Sequence, residues 1–281
     1  MTGWLTALGP EGTALALLLL GHVLGDFVFQ TDALARNKHR WGPLLAHAGI
    51  VLLVHGVAFI PLLTPQTVLI IGFVGAFHFL IDAVSARIRK QRATSAHLFL
   101  GDQMAHLVVL LVGWSLIDPS AWTNAPVVTS LGGETSLPWS EMTIGAVYLS
   151  AFVFAHEGGN TIVRGILPAD GPESPEGDLE AGSLIGSLER WLILVLGLAG
   201  RWEAVALVVA VVEHPSPRIV ASYWLGASVV TATAVVASLG MLPDPAGIGS
   251  GVTYHLIHHT VAELLRTAVL FLGDGIAAAG A

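Results

Sequence analysis

The sequence lacks cysteine altogether and has few charged residues. With no cysteine among its 281 residues, the chain has no disulfide, no thiolate metal ligand and no cysteine nucleophile. Charged residues make up only 11% of the chain, whereas soluble domains contain roughly a quarter. Basic residues form no patch interleaved with aromatic residues, so we expect no nucleic acid partner. These absences favour an integral membrane protein whose main partner is the lipid bilayer.

Hydrophobic residues account for 54% of the chain, and they are gathered into runs comparable in length with a membrane span. The runs lie at 12–30, 43–63, 66–86, 97–117, 140–157, 183–200, 202–213, 219–240 and 254–273. The seventh run is short, and Glu263 and Arg266 interrupt the ninth. We therefore predict an all-α fold, a polytopic transmembrane helix bundle of about eight spans plus a C-terminal helix that spans or lies along the interface.

The runs and the loops between them divide the chain into four regions. A His/Asp-rich membrane core of four helices occupies 1–117, and an irregular outer loop with the fifth span occupies 118–164. An acidic loop rich in Pro, Gly and Glu follows at 165–182, and C-terminal membrane helices fill 183–281. The acidic loop is the best candidate for a boundary between larger units.

Basic residues are concentrated in alternate loops of the first half. The loops after the first and third spans contain Arg36, Lys38 and Arg40, and Arg87, Arg89, Lys90 and Arg92. The loops at 61–66 and 118–138 contain neither Lys nor Arg. Because short loops rich in Lys and Arg remain in the cytoplasm, we expect both basic loops there and the N-terminus outside.

Three predicted spans each place one carboxylate and one imidazole four residues apart. The pairs are His22 with Asp26, His78 with Asp82 and, in reverse order, Asp102 with His106. Gln30 extends the first pair by one more turn. On a helix this spacing stacks the side chains on a single face.

The predicted topology puts all three pairs near the cytoplasmic ends of their spans. His47 lies in the first turns of the second span, and His55 lies two turns deeper on nearly the same face. Ionisable groups at membrane depth are costly and normally face the interior of a bundle. Three interpretations remain open: a metal site, a proton or ion pathway, and hydrogen bonds that clamp the helices together.

A metal site of imidazole and carboxylate without sulfur suits zinc, iron or manganese. Since one catalytic zinc needs three or four protein ligands, the candidates suffice for two divalent ions, or for one ion and residues that orient its ligands. The candidate ligands are His22, Asp26, His47, His55, His78, Asp82, Asp102 and His106. The carboxylates Asp26, Asp82 and Asp102 are also the candidate catalytic residues, because a spare carboxylate can act as a general base.

Other polar residues near the same end are candidates for substrate binding. Arg36 and Lys38 can hold a phosphate or carboxylate at the cytoplasmic mouth, or simply anchor their loop. Gln30 and Gln103 join them as candidates because they lie beside the ligand candidates in sequence.

A second polar group follows in the fifth and sixth predicted spans. His156, Glu157 and Asn160 end the fifth span, and Glu189 with Arg190 opens the sixth. These residues either extend the pocket or form a structural ion pair near the interface.

The polar residues of the first four spans also carry a family resemblance. The pattern comprises HVLGDFVFQTD at 22–32, then Lys38, His47 and His55, then HFLID at 78–82 and GDQMAH at 101–106. It resembles the bacterial inner-membrane family catalogued as domain of unknown function 3307, closely over about 18–110 and less distinctly at 182–210. The resemblance implies a location in the bacterial inner (plasma) membrane. It also implies that the polar residues belong to one shared site, but it implies no particular chemistry for that site.

Two classes of function, besides a non-catalytic membrane subunit, are compatible with these residues. The first is a metal-dependent hydrolase that acts on a lipid or amphiphilic substrate from the cytoplasmic leaflet, because a bound metal activates water and polarises an acyl or phosphoryl group. The second is a proton- or ion-coupled transporter that uses the His/Asp chain as a relay. The first is favoured, and a homo-oligomer is compatible with any of them.

Overall fold

The computed structural model describes residues 9–91, 96–118, 120–133, 137–166, 176–198 and Arg201. Its helices are α1 (Pro10–Val23), α2 (Asp32–Asn37), α3 (Trp41–Ala58), α4 (Pro65–Gln91), α5 (Ala96–Ser115), α6 (Ser120–Thr123), α7 (Pro126–Ser130), α8 (Trp139–Val153), α9 (Gly159–Ile166) and α10 (Glu176–Leu198). A π-helical turn, Leu24–Val28, extends α1, and a second, Phe154–Gly158, joins α8 to α9. The described residues contain no strand, which confirms the all-α prediction for this part of the chain.

Four of these helices are long and apolar enough to cross a membrane: Pro10–Val28, Trp41–Ala58, Pro65–Arg89 and Ala96–Ser115. They correspond to the first four predicted spans. The fifth and sixth predicted spans coincide with α8 and α10, and neither helix is among the four. The last three predicted runs lie outside the described residues, so the described structure supports four spans rather than eight.

Local sequence signals account for where the shorter helices begin. The hydroxyl of Thr31 accepts a hydrogen bond from the backbone N–H of Leu34 and so caps α2, as expected for an N-cap threonine. Pro10 and Pro126 stand in the first turns of α1 and α7, where a missing backbone N–H costs no hydrogen bond. The capped α2 fills the connection between α1 and α3 and ends at Asn37, immediately before Lys38.

Helix α1 is the centre of the bundle, because it packs against α3, α5 and α8. Glycines allow the close approach of α1 to α3: a Cβ on Gly21 would lie 2.7 Å from the His55 ring, and one on Gly25 would lie 3.0 Å from Val51. Small residues four apart are a common means of bringing membrane helices together. This contact carries Asp26, one residue after Gly25, to the side of α3 that bears His47.

The bundle has an apolar end and a polar end. Leu18, Phe59, Leu62, Val74 and Leu110 belong to an apolar core towards the start of α1 and the end of α5. The buried histidines and aspartates lie mainly at the other end, where α1 finishes and α5 begins. Both basic segments of the sequence adjoin this polar end.

Candidate metal centre

Four side chains from three helices converge at the polar end of the bundle. They are Asp26 from the π turn after α1, His47 from α3, and His78 and Asp82 from α4. His47 is fully buried, and the other three are at least nine-tenths buried. We call these four residues the inner cluster.

The polar atoms of the inner cluster lie at nearly equal spacing. Nε2 of His47 is 3.0 Å from Nε2 of His78, 3.1 Å from Oδ1 of Asp26 and 3.2 Å from Oδ2 of Asp82. Nε2 of His78 is 3.3 Å from each of the same two oxygens. Donor atoms bound about 2.0–2.1 Å from a tetrahedral zinc ion lie about 3.3 Å from one another. The spacing is therefore compatible with metal binding, and Asp26, His47 and His78 form one group of potential ligands.

A lysine from outside the three predicted His/Asp pairs completes the inner cluster. Nζ of Lys38 lies 2.8 Å from Oδ2 of Asp82, and only 8% of Lys38 is exposed. The sequence predicts Lys38 at an open mouth, but the structure places it inside, as the counter-ion of a buried carboxylate. The sequence offered one signal for this pair: Lys38 lies in the loop after the first span, at the same end of the bundle as Asp82 near the end of the third span.

His22 and His106 extend the cluster on one side, and their rings stack with centroids 4.9 Å apart. Nε2 of His22 lies 3.3 Å from Oε1 of Gln103, and Nδ1 of His106 lies 2.9 Å from the carbonyl oxygen of Asp102. Since both oxygens can only accept, each histidine donates there and keeps a lone pair on its other nitrogen.

The two remaining nitrogens, Nδ1 of His22 and Nε2 of His106, are buried and have no hydrogen-bond partner among the described residues. An unsatisfied buried polar atom costs about 1–3 kcal/mol. The two histidines belong to groups of three whose potential ligand atoms lie within 4.8 Å of one another: His22 with Asp26 and His106, and His106 with His78 and Asp82. A metal ion in this space would use the lone pairs that nothing else uses.

Asp102 lies beside the cluster but faces away from it. Its Oδ1 lies 3.2 Å from Nη2 of Arg89, and its Oδ2 accepts a hydrogen bond from Nε2 of Gln103. It belongs to none of the three groups of potential ligands. Asp102 therefore connects Arg89, through Gln103, to His22.

His55 lies towards the apolar end, two turns from His47. Its Nδ1 is 2.8 Å from the carbonyl oxygen of Val51, and its Nε2 is 3.1 Å from that of Leu18. Both nitrogens face backbone carbonyl oxygens, so neither is directed towards the inner cluster in this conformation. His55 therefore links α3 to α1 and is not placed as a metal ligand.

The other predicted substrate-binding residues are less closely tied to the cluster. Arg36 is exposed, and its Nη1 lies 3.5 Å from Oδ2 of Asp32, also exposed. Oε1 of Gln30 is buried without a hydrogen-bond partner in the described structure. Of the four candidates, only Lys38 and Gln103 touch the candidate metal ligands.

The second predicted polar group forms a separate network around the π turn Phe154–Gly158. Arg190 is buried and donates to the carbonyl oxygen of Ala155, to Oδ1 of Asn160 and to the hydroxyl of Ser187. Nδ1 of His156 lies 2.7 Å from the same hydroxyl. Through these hydrogen bonds the network holds α10 against α9 and the π turn that follows α8. It therefore has a structural role and does not extend the candidate metal centre.

Together, the fold and the site define a helical protein with four helices of membrane-spanning length and composition and a buried His/Asp cluster that can hold a metal. Residues 14–130 match the family described as protein of unknown function (DUF3307). The match includes every candidate metal ligand, so the resemblance inferred from the sequence is confirmed there. It stops before 182–210, where the likeness stays a prediction. The chain matches no curated protein and no solved structure.

Proposed function

We propose that the protein is a metal-dependent membrane hydrolase whose centre is formed by Asp26, His47 and His78. The observation that carries the proposal is the convergence of their donor atoms at 3.0–3.3 Å inside the bundle. Two imidazoles and one carboxylate are a ligand set of catalytic zinc, and they leave a position open for water. Iron and manganese accept the same donors.

Asp82 supplies the group that a hydrolase needs beside its metal. Its Oδ2 lies 3.2 Å and 3.3 Å from the two ligand nitrogens and 2.8 Å from Nζ of Lys38. A bound metal would supply the activation of water, and the Asp82 carboxylate would take the role of general base beside it. Lys38 holds this carboxylate in place and adds positive charge where a substrate oxyanion would form.

His22 and His106 are available to bind a second metal ion, or to replace one of the first ion's ligands. Together with Asp26 they form another group of potential ligands, and each has one buried nitrogen without a hydrogen-bond partner in the described structure. Asp26 is the member common to this group and to that of His47 and His78, so it would help to hold either ion of a two-metal hydrolytic site.

The geometry favours a metal centre over a transmembrane relay. A relay needs ionisable groups at successive depths, but the connected residues from Lys38 through the inner cluster to Arg89 lie at one end of the described helices. His55, the described histidine nearest the other end, contacts only backbone carbonyls among its hydrogen-bond partners.

The test uses purified protein in phosphatidylglycerol liposomes, loaded with zinc or manganese and compared with a chelator-treated sample. Mass spectrometry of the lipids should detect hydrolysis products that disappear with chelator and with His47→Ala or His78→Ala. His39→Ala, at an exposed histidine outside the cluster, is the matched control, and its metal content and product yield should remain near those of the parent. Proton or ion flux that depends on His47, without lipid hydrolysis, would instead support the transporter.

A further inference from the structure

A groove of about 450 Å³ runs along the outside of the bundle between α4 and α5. Leu80, Val84 and Ile88 form one wall, and Gly101 and Ala105 belong to the other. Its volume lies within the range of about 300–1,000 Å³ that small-molecule sites occupy. Because α4 and α5 have the composition of membrane spans, the groove opens towards lipid.

The polar end of the groove carries exposed positive charge. Arg89 and His97 line it, and the Arg89 side chain is 35% exposed while its partner Asp102 is almost buried. One nitrogen of Arg89 faces Asp102, and the rest of the five-donor fork remains for another acceptor. Between Asp82 and Asp102 the sequence has four basic residues and no acidic one.

We propose that this groove binds an anionic phospholipid, with an acyl chain against Leu80 and Val84 and the phosphate on Arg89. Apolar walls that lead to an exposed arginine match the two ends of such a lipid, since arginine binds phosphate through paired hydrogen bonds. Resting on the function proposed above, the inference names the substrate class and its route of approach: through the side of the bundle rather than from the aqueous mouth.

Asp102 connects the groove to the candidate metal centre. It lines the groove, contacts Arg89, and accepts from Gln103, which in turn binds His22. One turn further along α5, the ring of His106 contacts that of His78 in a tilted arrangement, with ring centroids 4.3 Å apart. A phosphate bound at Arg89 would thus be connected to the potential metal ligand His22 through Asp102 and Gln103.

Gly101 offers a way to block the groove without disturbing the bundle. A Cβ at this position would meet no atom within 4 Å, so Gly101→Leu fills the groove rather than the helix contact. Gly72, on α4 outside the groove, is equally open and exposed. Gly72→Leu is therefore the matched control for adding a leucine to a lipid-facing helix.

The experiment uses the full chain in nanodiscs that contain phosphatidylglycerol with a photoreactive acyl chain. Peptide mapping should find crosslinks concentrated on Leu80 and Val84 relative to lipid-facing Leu53 and Leu69. Gly101→Leu should abolish this enrichment, and Gly72→Leu should preserve it. A diacylglycerol probe with the same chain lacks the phosphate and should label the groove about tenfold less, as expected if one charge-assisted contact is worth about 1.4 kcal/mol.

Equal labelling of all lipid-facing helices, or unchanged labelling in Gly101→Leu, would overturn the proposal. Equal labelling by both probes would overturn the choice of an anionic lipid. Arg89→Gln should remove the preference between the probes while Gly101→Leu tests the groove independently of that ion pair. Metal content is measured in the same samples. A parent protein that lacks metal but is labelled in the groove would refute the hydrolase alone. A parent protein that contains metal but is not labelled in the groove would refute the lipid site alone.

Discussion

At the scale of single residues, the most informative contact is the one between Lys38 and Asp82. Both are buried, and Nζ lies 2.8 Å from Oδ2. Removing one partner of a buried ion pair leaves a charge without compensation, which typically costs about 3–5 kcal/mol. The pair thus fixes the connection between α2 and α3 to the candidate site on α4.

We predict that Lys38→Met lowers the melting temperature strongly and that adding Asp82→Asn restores much of the loss. The second change removes the carboxylate that the first leaves unpaired, so the two effects should be far from additive. Thermal unfolding of the single and double variants in detergent measures this. Arg36→Met is the control, because the exposed pair with Asp32 should contribute less than about 1 kcal/mol. Additive losses would show that the two side chains do not interact.

At the scale of helices, the site depends on how closely α1 approaches α3. Gly21 faces the ring of His55, which is fixed by contacts to the carbonyls of Val51 and Leu18. Because this ring cannot yield easily, any side chain at position 21 should push the helices apart. Asp26, on the following π turn, would then move away from His47.

Gly21→Leu should therefore lower both metal content and melting temperature. Gly49→Leu should change neither, since Gly49 lies on the exposed side of α3 with no atom within 4 Å of a Cβ. Elemental analysis and thermal unfolding of the two purified variants provide the comparison. A Gly21→Leu protein with the parent's metal content would mean that the site does not depend on this helix contact.

The sequence predicted which site residues share a helix face better than it predicted which side chains they contact on other helices. Spacing of four residues correctly indicated that His22 and Asp26, and His78 and Asp82, share helix faces, because the helical repeat fixes that relation. It could not indicate that Asp102 faces Arg89 or that His55 contacts carbonyls. Those contacts depend on the relative register of neighbouring helices, which close glycine contacts and the π turn at Leu24–Val28 decide.

At the scale of the whole molecule, the remaining question is which side of the membrane the polar end faces. The distribution of Lys and Arg predicts the cytoplasm for this end. Arg36 and Leu131 are suitable reporters because both are exposed and they lie in a basic and a non-basic connection, respectively. Lys38 is not suitable, because it is buried in the site.

We predict that a cysteine at position 36 is labelled only after the cells are opened, whereas one at position 131 is labelled in whole cells. The chain has no cysteine of its own, so each signal comes from the introduced thiol alone. An impermeant maleimide supplies the measurement. Labelling of position 36 from outside would reverse the orientation and place the groove and the candidate site towards the outer leaflet.

The most direct test of the account is the metal content of the purified protein and its dependence on Asp26. Elemental mass spectrometry of the parent, after incubation with zinc, iron or manganese and removal of the excess, should find at least one transition metal ion per chain. Asp26→Asn should lose that ion and melt at the temperature of chelator-treated parent, because a bound ligand stabilises the folded state. Asp32→Asn, an exposed control, should behave as the parent. A parent without stoichiometric metal, and an Asp26→Asn variant as stable as the parent with or without chelator, would contradict the account.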